Sequence, residues 1–124
     1  MSYREPLPEG CPPPKAEEIT TVREVFRLVI RNPVGVDDFR SQRAERPAAL
    51  FRGVSECLAR GVSVHAERGD SEKMRRLPRV RNALICCVRL ENGAGRIQQT
   101  FQPTHHTWWP LAAFDILIHC EVLK

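Results

Sequence analysis

Long hydrophobic runs are missing from this chain, although 42% of its 124 residues are hydrophobic. A membrane-spanning helix needs about 20 consecutive apolar residues, and no stretch approaches that length. Residues 1–18 also lack the apolar segment of a signal peptide. These absences predict a cytoplasmic protein with no membrane partner. Hydrophobic and charged residues lie near the globular average, so a packed domain is expected rather than general disorder.

Several motifs with well-understood chemistry are also missing. The sequence contains no Gly-x-x-x-x-Gly-Lys-Ser/Thr, no Gly-x-Gly-x-x-Gly and no Gly-x-Ser-x-Gly, which excludes the common phosphate loops and the hydrolase nucleophile elbow. It has no Cys-x-x-Cys and no His-x-x-x-His, so no metal site is expected. The short run Gly93-Ala94-Gly95 is typical of a turn.

The number of cysteines is odd. The five cysteines are Cys11, Cys57, Cys86, Cys87 and Cys120. Four of them lie in apolar context, and two neighbouring cysteines in a strand point to opposite faces. This pattern favours buried free thiols in a reducing compartment. A fold held together by disulfides is therefore not expected.

The net charge of +4 is unevenly distributed along the chain. Much of it comes from segment 73–81. Such a run attracts phosphate or an acidic partner, which here means an acidic protein or a nucleic acid. The same run is also typical of a solvated face at the end of a helix, and both interpretations stay open. The basic residues of the segment are Lys73, Arg75, Arg76, Arg79 and Arg81.

Residue patterns predict a proline-rich arm, 1–18, followed by a single α+β domain, 19–124. The element order βααβαβββ predicts a mixed, mainly antiparallel sheet of about five strands with two or three short helices. The predicted strands are 24–31, 62–67, 83–91, 96–102 and 114–123. The predicted helices are 38–45, 50–58 and 70–77.

Alternation of side chains assigns faces to the first and last strands. In the first, Phe26, Leu28 and Ile30 are predicted to face the core, with Arg27 on the opposite face. Gly61 is predicted to be the left-handed residue that ends the second helix. In the last strand, the predicted core face consists of Phe114, Ile116, Ile118, Cys120 and Val122.

The most unusual piece of the sequence is segment 104–110, Thr-His-His-Thr-Trp-Trp-Pro, which is predicted to be a loop. Tryptophan offers a wide apolar face, and histidine exchanges protons near neutral pH. A loop with such residues on a rigid scaffold often forms a binding site. In the alternative interpretation, Trp108 and Trp109 fold back over the core while His105 and His106 cap backbone groups.

A second set of polar side chains projects from strands that are otherwise apolar. Arg27 lies in the first strand, and Ser63 and His65 lie in the second. His119 and Glu121 share one face of the last strand, because residues i and i+2 point the same way. Together, a cation, an imidazole and a carboxylate can hold an anionic cofactor and polarise a sugar. Taken singly, each is also explained as a paired side chain at the sheet edge.

The chain resembles a group of small uncharacterised bacterial proteins over nearly all of residues 24–122. The resemblance rests on the runs 25–29, 32–33, 38–41, 61–65 and 105–109. More distantly, the chain resembles the ADP-ribosyltransferase-like fold. In that fold an early arginine or histidine binds NAD, a middle strand carries Ser-Thr-Ser or a tyrosine, and a late glutamate orients the ribose. Arg27, Ser63 and Glu121 match in type and order, although Val62-Ser63-Val64 replaces Ser-Thr-Ser.

This resemblance implies a transferase or glycohydrolase that uses NAD or another nucleotide. The alternative from the residues themselves is a non-catalytic interaction module, which binds a protein or nucleic acid through 73–81 and 104–110. A single cleft lined by Arg27, His105 and Glu121 would favour the enzyme. The enzyme hypothesis assigns catalysis to Glu121 and His105, and cofactor binding to Arg27, Ser63, His65, His106 and Trp109. The resemblance itself supplies Arg27, Ser63 and Glu121.

Overall fold

The computed structural model describes residues 2–123, which contain one seven-stranded antiparallel sheet. The α+β class is confirmed, whereas the predicted number of about five strands and the predicted order are wrong. The strands lie in the order β1-β5-β6-β3-β2-β4-β7. They are β1 (Glu17–Glu18), β2 (Arg23–Val29), β3 (Val62–His65), β4 (Leu84–Leu90), β5 (Gly95–Gln99), β6 (His105–Pro110) and β7 (Cys120–Leu123).

The helices are short, and two of them begin at serine caps. Ser41 and Ser55 each accept a hydrogen bond from a backbone amide in the first turn. Within residues 2–123, no helix has the length and apolar character that crossing a membrane requires. The helices are α1 (Gln42–Glu45), α2 (Glu56–Ala59) and α3 (Arg68–Met74), with 3-10 turns at Val36–Phe39, Pro78–Val80 and Ile116–His119.

One face of the sheet carries most of the core. β2 and β4 form the longest ladder, from Arg23 opposite Leu90 to Val29 opposite Leu84. The 3-10 turn before α1 adds the fully buried Phe39. Burial of a large apolar side chain contributes about 1.5–3 kcal/mol, so this face stabilises the fold most. Its strand residues include Val25, Val29, Val62, Val64, Cys86, Val88 and Trp108.

The predicted faces of the first strand are reversed in the structure. Val25 and Val29 are buried, and Arg27 lies between them on the same face. The strand ends at Val29, and Ile30 is 84% exposed. The prediction was wrong because apolar residues occupy both registers of this strand. Alternation alone could not tell which register faces the core.

The predicted loop 104–110 is mostly a strand. β6 pairs with β5 on one side and with β3 on the other, so it lies inside the sheet. Trp108 and Trp109 are buried on opposite faces, and their indole nitrogens donate to Ala94 O and Cys57 O, both at 3.0 Å. A strand that is buried on both faces shows no alternation, which explains the error.

The C-terminal strand is shorter than the predicted 114–123. Asp115 accepts a hydrogen bond from the amide of Leu117 and begins a 3-10 turn, and β7 starts only at Cys120. Within the turn Ile116 is buried, but Ile118 is 75% exposed. The predicted core face is therefore wrong at Ile118. The local turn interrupts the period of two that the prediction assumed.

The predicted second helix is reduced to the four residues of α2, and Leu50 is 91% exposed. Gly61 is not left-handed. A Cβ at this position would overlap the Thr107 methyl carbon and lie 3.2 Å from the Trp109 indole. Glycine is therefore needed for close packing between the start of β3 and β6, rather than for backbone freedom.

The cysteine prediction is wrong at one pair. Cys11 and Cys57 form a disulfide, which links the N-terminal arm to α2. Of the three free cysteines, Cys86 is buried, while Cys87 and Cys120 are half-buried. The bonded partners are 46 residues apart in sequence, so no local pattern reveals the pairing. Disulfides persist in oxidising surroundings, and the cysteine argument for a reducing compartment therefore fails.

The N-terminal arm packs against the sheet. Tyr3 forms a bridge with Leu111, and β1 extends the sheet beside β5. Arg4 donates a hydrogen bond to Phe39 O, and Ala16 is buried. The arm thus covers polar backbone at the sheet margin that would otherwise be exposed.

Candidate functional site

The sheet is split between β2 and β3. Among residues 2–123, the register between these two strands consists of one pair, Phe26 opposite His65. Past that pair the Arg27 guanidinium bridges the gap, and Nη1 donates to Ser63 O at 2.7 Å. Nε donates to Asp38 O at 2.9 Å, and Nη2 donates to Arg40 O at 3.1 Å. A charged side chain has therefore taken the place of ladder hydrogen bonds.

A cleft of about 370 Å³ opens at this split. Its walls come from β2, β3, β6 and α1 on one side and from α3 and the 3-10 turn 78–80 on the other. This volume lies within the range of small-molecule sites, about 300–1,000 Å³. The polar and charged side chains that line it are Arg27, Gln42, Glu45, Ser63, His65, Arg79 and His105.

His65 and His105 face each other across β3 and β6. They are register partners, with ring centroids 6.1 Å apart and ring planes at 78°. His65 Nδ1 lies 2.9 Å from Ser71 Oγ. His105 Nδ1 lies 2.9 Å from Thr100 Oγ1 and 3.2 Å from Thr100 O. Neither Nε2 has a hydrogen-bond partner within the described part of the chain.

The contact with Thr100 determines the tautomer of His105. A carbonyl oxygen only accepts hydrogen bonds, so Nδ1 of His105 carries the hydrogen and Nε2 keeps its lone pair. The Thr100 hydroxyl also lies 2.8 Å from the buried Thr107 hydroxyl, which orients it. The cleft therefore contains an imidazole whose basic nitrogen is positioned by a hydrogen-bonded second residue, an arrangement that suits proton transfer.

Burial lowers the pKa of both histidines. For His65, burial is the main cause, Asp70 opposes it, and the positive charge of Arg27 adds to it. For His105, burial is again the largest cause, followed by His65, while the hydrogen bond to Thr100 O opposes both. Both imidazoles are therefore mainly neutral at pH 7, the state in which Nε2 can accept a proton.

Arg27 supports the cleft more than it offers donors to a ligand. Three of its five N–H groups are used by the backbone oxygens of Asp38, Ser63 and Arg40. Burial lowers its pKa, and Glu45 is the strongest opposing charge. An arginine remains charged under these conditions. Arg27 thus adds positive charge to the cleft wall, while the N–H groups that could bind a ligand in a bidentate manner are mostly bonded to the backbone.

Two charged side chains complete the cleft, and sequence reasoning missed one of them. Glu45 on α1 and Arg79 on the 3-10 turn are exposed. Neither has a hydrogen bond or ion pair with any residue between 2 and 123. Glu45 gave no local signal, because a glutamate in the last turn of a surface helix is ordinary. Its place beside His65 and His105 depends on how α1 packs.

Glu121 is not part of the cleft. It pairs with Cys87, which in turn pairs with Phe26, and directly opposite residues share a face. Phe26 also pairs with His65, so Glu121 and the cleft histidines share a face of the sheet but lie at different places on it. Three strand spacings separate Glu121 from His65, roughly 14 Å. Glu121 lies instead in a separate depression of about 290 Å³, with Glu24, Cys87, Arg89 and His119.

His106 and Trp109 are also separate from the cleft. His106 pairs with Val64 and points to the face opposite His105, where its Nδ1 lies 3.1 Å from Thr104 O. Trp109 is 1% exposed and its indole nitrogen is already bonded to Cys57 O. Of the residues predicted to bind a cofactor, the structure therefore brings Arg27, Ser63 and His65 together.

The basic segment 73–81 borders the cleft, because Met74, Arg79 and Val80 line it. Arg75 donates to Ala83 O at 3.4 Å. The other four basic side chains are exposed and have no ion pair or hydrogen bond within the described residues. Arg79 belongs both to this segment and to the cleft. The residues without a side-chain partner are Lys73, Arg76, Arg79 and Arg81.

Comparison of the chain with protein-family models, with curated proteins and with solved structures found no match. The resemblance to the ADP-ribosyltransferase-like fold therefore stays a prediction from residue types. Within residues 2–123 no group of three histidine, cysteine, aspartate or glutamate side chains could hold a metal ion. In the cleft, the imidazoles of His65 and His105 can transfer protons. The Glu45 carboxylate and the Arg79 guanidinium line the same cleft.

Proposed function

We propose that the protein is a nucleotide-using enzyme, an NAD-dependent transferase or glycohydrolase, and that the cleft at the split sheet is its active site. One observation carries the proposal: two imidazoles, whose Nε2 atoms have no hydrogen-bond partner among residues 2–123, meet in a cleft that Glu45 and Arg79 also line. Titratable side chains with shifted pKa values that converge in a cleft are typical of catalytic sites.

The residues have complementary roles in this reaction. Arg79 binds the pyrophosphate of NAD through charge-assisted hydrogen bonds. Glu45 stabilises the positive charge that develops on the ribose as the bond to nicotinamide breaks. His105 Nε2 accepts the proton of the attacking water or hydroxyl group while the new C–O bond forms. Nicotinamide leaves as a neutral molecule and needs no proton.

This assignment differs from the one that the resemblance implies. The carboxylate is Glu45 rather than Glu121, because Glu45 lines the same cleft as the histidines. Arg27 positions β3 through Ser63 O instead of holding phosphate. Ser63 and His65 keep their places in the cofactor site.

The test is nicotinamide release from NAD, with a matched pair of variants. Glu45→Gln should lower kcat about 100-fold, since the amide keeps the shape but loses the charge. Glu121→Gln makes the same chemical change in the other depression and should leave kcat within twofold. No release by the wild type, with water or with an added protein or RNA acceptor, would overturn the proposal. Equal loss in both variants would also contradict it.

A second candidate function is the binding of nucleic acid through segment 73–81. The specific observation is that four exposed basic side chains of this segment have no partner within the described residues. Unpaired lysine and arginine side chains release counterions when they contact phosphates, which makes binding depend steeply on salt.

This candidate is tested with a single-stranded RNA over a range of salt concentrations. Arg76→Ala/Arg81→Ala should reduce the slope of log affinity against log salt by about 0.7 for each lost contact. The control is Arg52→Ala/Arg89→Ala, which removes the same charge from other exposed sites. If both double variants change the slope equally, the segment has no specific role.

A further inference from the structure

Phe101 occupies an unusual position beside the cleft. It lies in the hairpin turn between β5 and β6, which is closed by hydrogen bonds from Thr100 N to His105 O and from His105 N to Gln102 O. Its φ is 62°, in the left-handed region, and it is 67% exposed. Glycine or asparagine normally fills such a place, and a bulky aromatic residue there is a conformational outlier.

Burial does not compensate for this strain. Among residues 2–123, the ring of Phe101 contacts one other ring, that of His105, at 5.3 Å and 60°. His105 in turn contacts His65. The three rings form a row that ends at the exposed Phe101. Strained residues are concentrated at functional sites, and an exposed aromatic face next to an imidazole suits a stacked ligand.

The surroundings of this row indicate which ligand stacks on it. A nucleobase is a planar ring, and aromatic residues beside a basic groove are the common features of sites for single-stranded nucleic acid. The basic residues nearest the cleft belong to segment 73–81, of which Arg79 lines the cleft. The rings of His65 and His105 are close enough for both Nε2 atoms to reach oxygens of one phosphate group, because each hydrogen bond spans about 2.6–3.2 Å.

We propose that the cleft cleaves single-stranded RNA by acid–base catalysis, with a base stacked on Phe101 and the scissile phosphate between His65 and His105. This activity goes beyond the reaction with NAD and needs no cofactor. The 2′-oxygen of the ribose attacks phosphorus and the bond to the 5′-oxygen breaks. His105 Nε2 takes the proton of the 2′-hydroxyl, and protonated His65 gives a proton to the leaving 5′-oxygen. The products are a 2′,3′-cyclic phosphate and a 5′-hydroxyl.

The hydrogen bonds of the two imidazoles suit these opposite roles. Nδ1 of His105 donates to Thr100 O, which leaves Nε2 as an acceptor. Nδ1 of His65 lies beside the Ser71 hydroxyl, which can accept a hydrogen bond from it in the protonated form, and Nε2 then carries the proton that is given to the leaving group. Asp70 also favours protonation of His65. Arg79, at the rim, is positioned to neutralise the charge that builds on the phosphate.

The experiment compares three oligonucleotides of one sequence: RNA, DNA and 2′-O-methyl RNA. The wild-type protein should cleave RNA in the presence of a chelator and release the cyclic phosphate. It should bind the 2′-O-methyl strand without cutting it, because that strand lacks the nucleophile. The absence of cyclic phosphate, or cleavage of the 2′-O-methyl strand, would overturn the proposal.

His65→Asn separates the protein's own activity from a contaminating nuclease. Asparagine can keep a polar group near the position of Nδ1 for Ser71 but removes Nε2. Cleavage should fall at least 100-fold while binding of the 2′-O-methyl strand is unchanged. His119→Asn, in the other depression, should cleave RNA at the wild-type rate. Undiminished cleavage by His65→Asn would show that the pair does not act.

Phe101→Gly tests the stacking contact. Glycine adopts a left-handed φ freely, so the melting temperature should stay level or rise. The KM for RNA should rise about 10-fold with little change in kcat, whereas Phe101→Tyr should behave like the wild type. Leu50→Gly, which removes another exposed apolar side chain, is the control. An unchanged KM in Phe101→Gly would contradict the stacking assignment.

These readouts also separate this inference from the reaction with NAD. Nicotinamide release and cyclic phosphate are different products from different substrates. If RNA is not cut but nicotinamide release depends on Glu45, the inference fails and the proposed function stands. If RNA is cut and NAD is not, the proposed function fails and the cleft is a nuclease site.

Discussion

The cleft between β2 and β3 and the depression beside β7 contain the same kinds of residues, histidine and glutamate, in different states. In the depression, His119 Nε2 lies 2.6 Å from Glu91 Oε1 and Nδ1 lies 2.8 Å from Asp115 O. In the cleft, His65 and His105 each have one nitrogen in a hydrogen bond and one without a partner within the described residues. The difference lies in which hydrogen-bonding groups are already used.

A cysteine strengthens this comparison. Cys87 Sγ in the depression lies 3.5 Å from Glu24 Oε2 and donates to it. Burial and the nearby carboxylate raise the pKa of this thiol to about 11. Because the thiolate is the reactive form, Cys87 is not a nucleophile at neutral pH. The comparison therefore shows that residue type alone does not identify a functional site. Histidine, glutamate and cysteine side chains that hydrogen-bond to one another have few groups left for a ligand.

The largest effect is expected from the histidines of the two regions. His105→Asn should lower nicotinamide release at least 100-fold, because asparagine can keep the donor near Thr100 O but lacks the basic Nε2. His119→Asn breaks a hydrogen bond to Glu91 beside the depression and should leave the rate unchanged. Steady-state kinetics with NAD measure both. Equal loss in the two variants would remove the distinction between the regions.

The disulfide is remote from both regions and should affect stability alone. Replacing both partners, Cys11→Ser/Cys57→Ser, should lower the free energy of unfolding by about 2–4 kcal/mol. Urea denaturation measures this change, and dithiothreitol should reproduce it in the wild type. At urea concentrations below its unfolding transition, the double variant should keep the kcat of the wild type. A large loss of kcat in the folded variant would mean that the arm shapes the cleft.

The wall of the cleft can be tested at Gly61. Gly61→Ala should destabilise the protein by about 1–3 kcal/mol, because the new methyl group overlaps Thr107, which supports Thr100 and His105. Gly69→Ala is the matched control: its Cβ meets open space within α3, so alanine should stabilise by about 0.5–1 kcal/mol. Thermal unfolding of both variants gives the answer. A neutral Gly61→Ala would show that β3 and β6 can move apart.

The smallest effect concerns pH and the thiols beside β7. The pKa of Cys86 is raised to about 12, mainly by burial, and that of Cys87 to about 11. The unfolded chain loses these protons first, so the folded state binds more protons above pH 9 and stability should fall from there as pH rises. Urea unfolding midpoints, determined at several pH values between about pH 8 and pH 10.5, measure this trend. Cys87→Ser should make it shallower.

Sequence reasoning predicted part of the site. Arg27, Ser63 and His65 were chosen from their types and strand positions and His105 from a predicted loop, and all four line the cleft. Glu121 was chosen from its position in the last strand and from the resemblance, and lies elsewhere. Glu45 could not be found from the sequence, because its relevance depends on α1 packing across the split. Single residues were thus easier to predict than the set that meets in space.

The same division holds for the fold. The sequence by itself determined the α+β class and the strands with strong local signals, such as β3 and β4, because β-branched and apolar residues bounded by turns favour an extended chain. It did not reveal β6, whose neighbouring tryptophans are buried on opposite faces.

Only the tertiary structure decided the order of the strands, the disulfide between Cys11 and Cys57 and the cleft. Each of these joins residues that are far apart in the chain: Arg27 and Ser63, which meet at the split, are 36 positions apart. A local pattern reports the conformation of a few neighbouring residues. Contacts at such separations depend instead on how all the elements bury their apolar faces together.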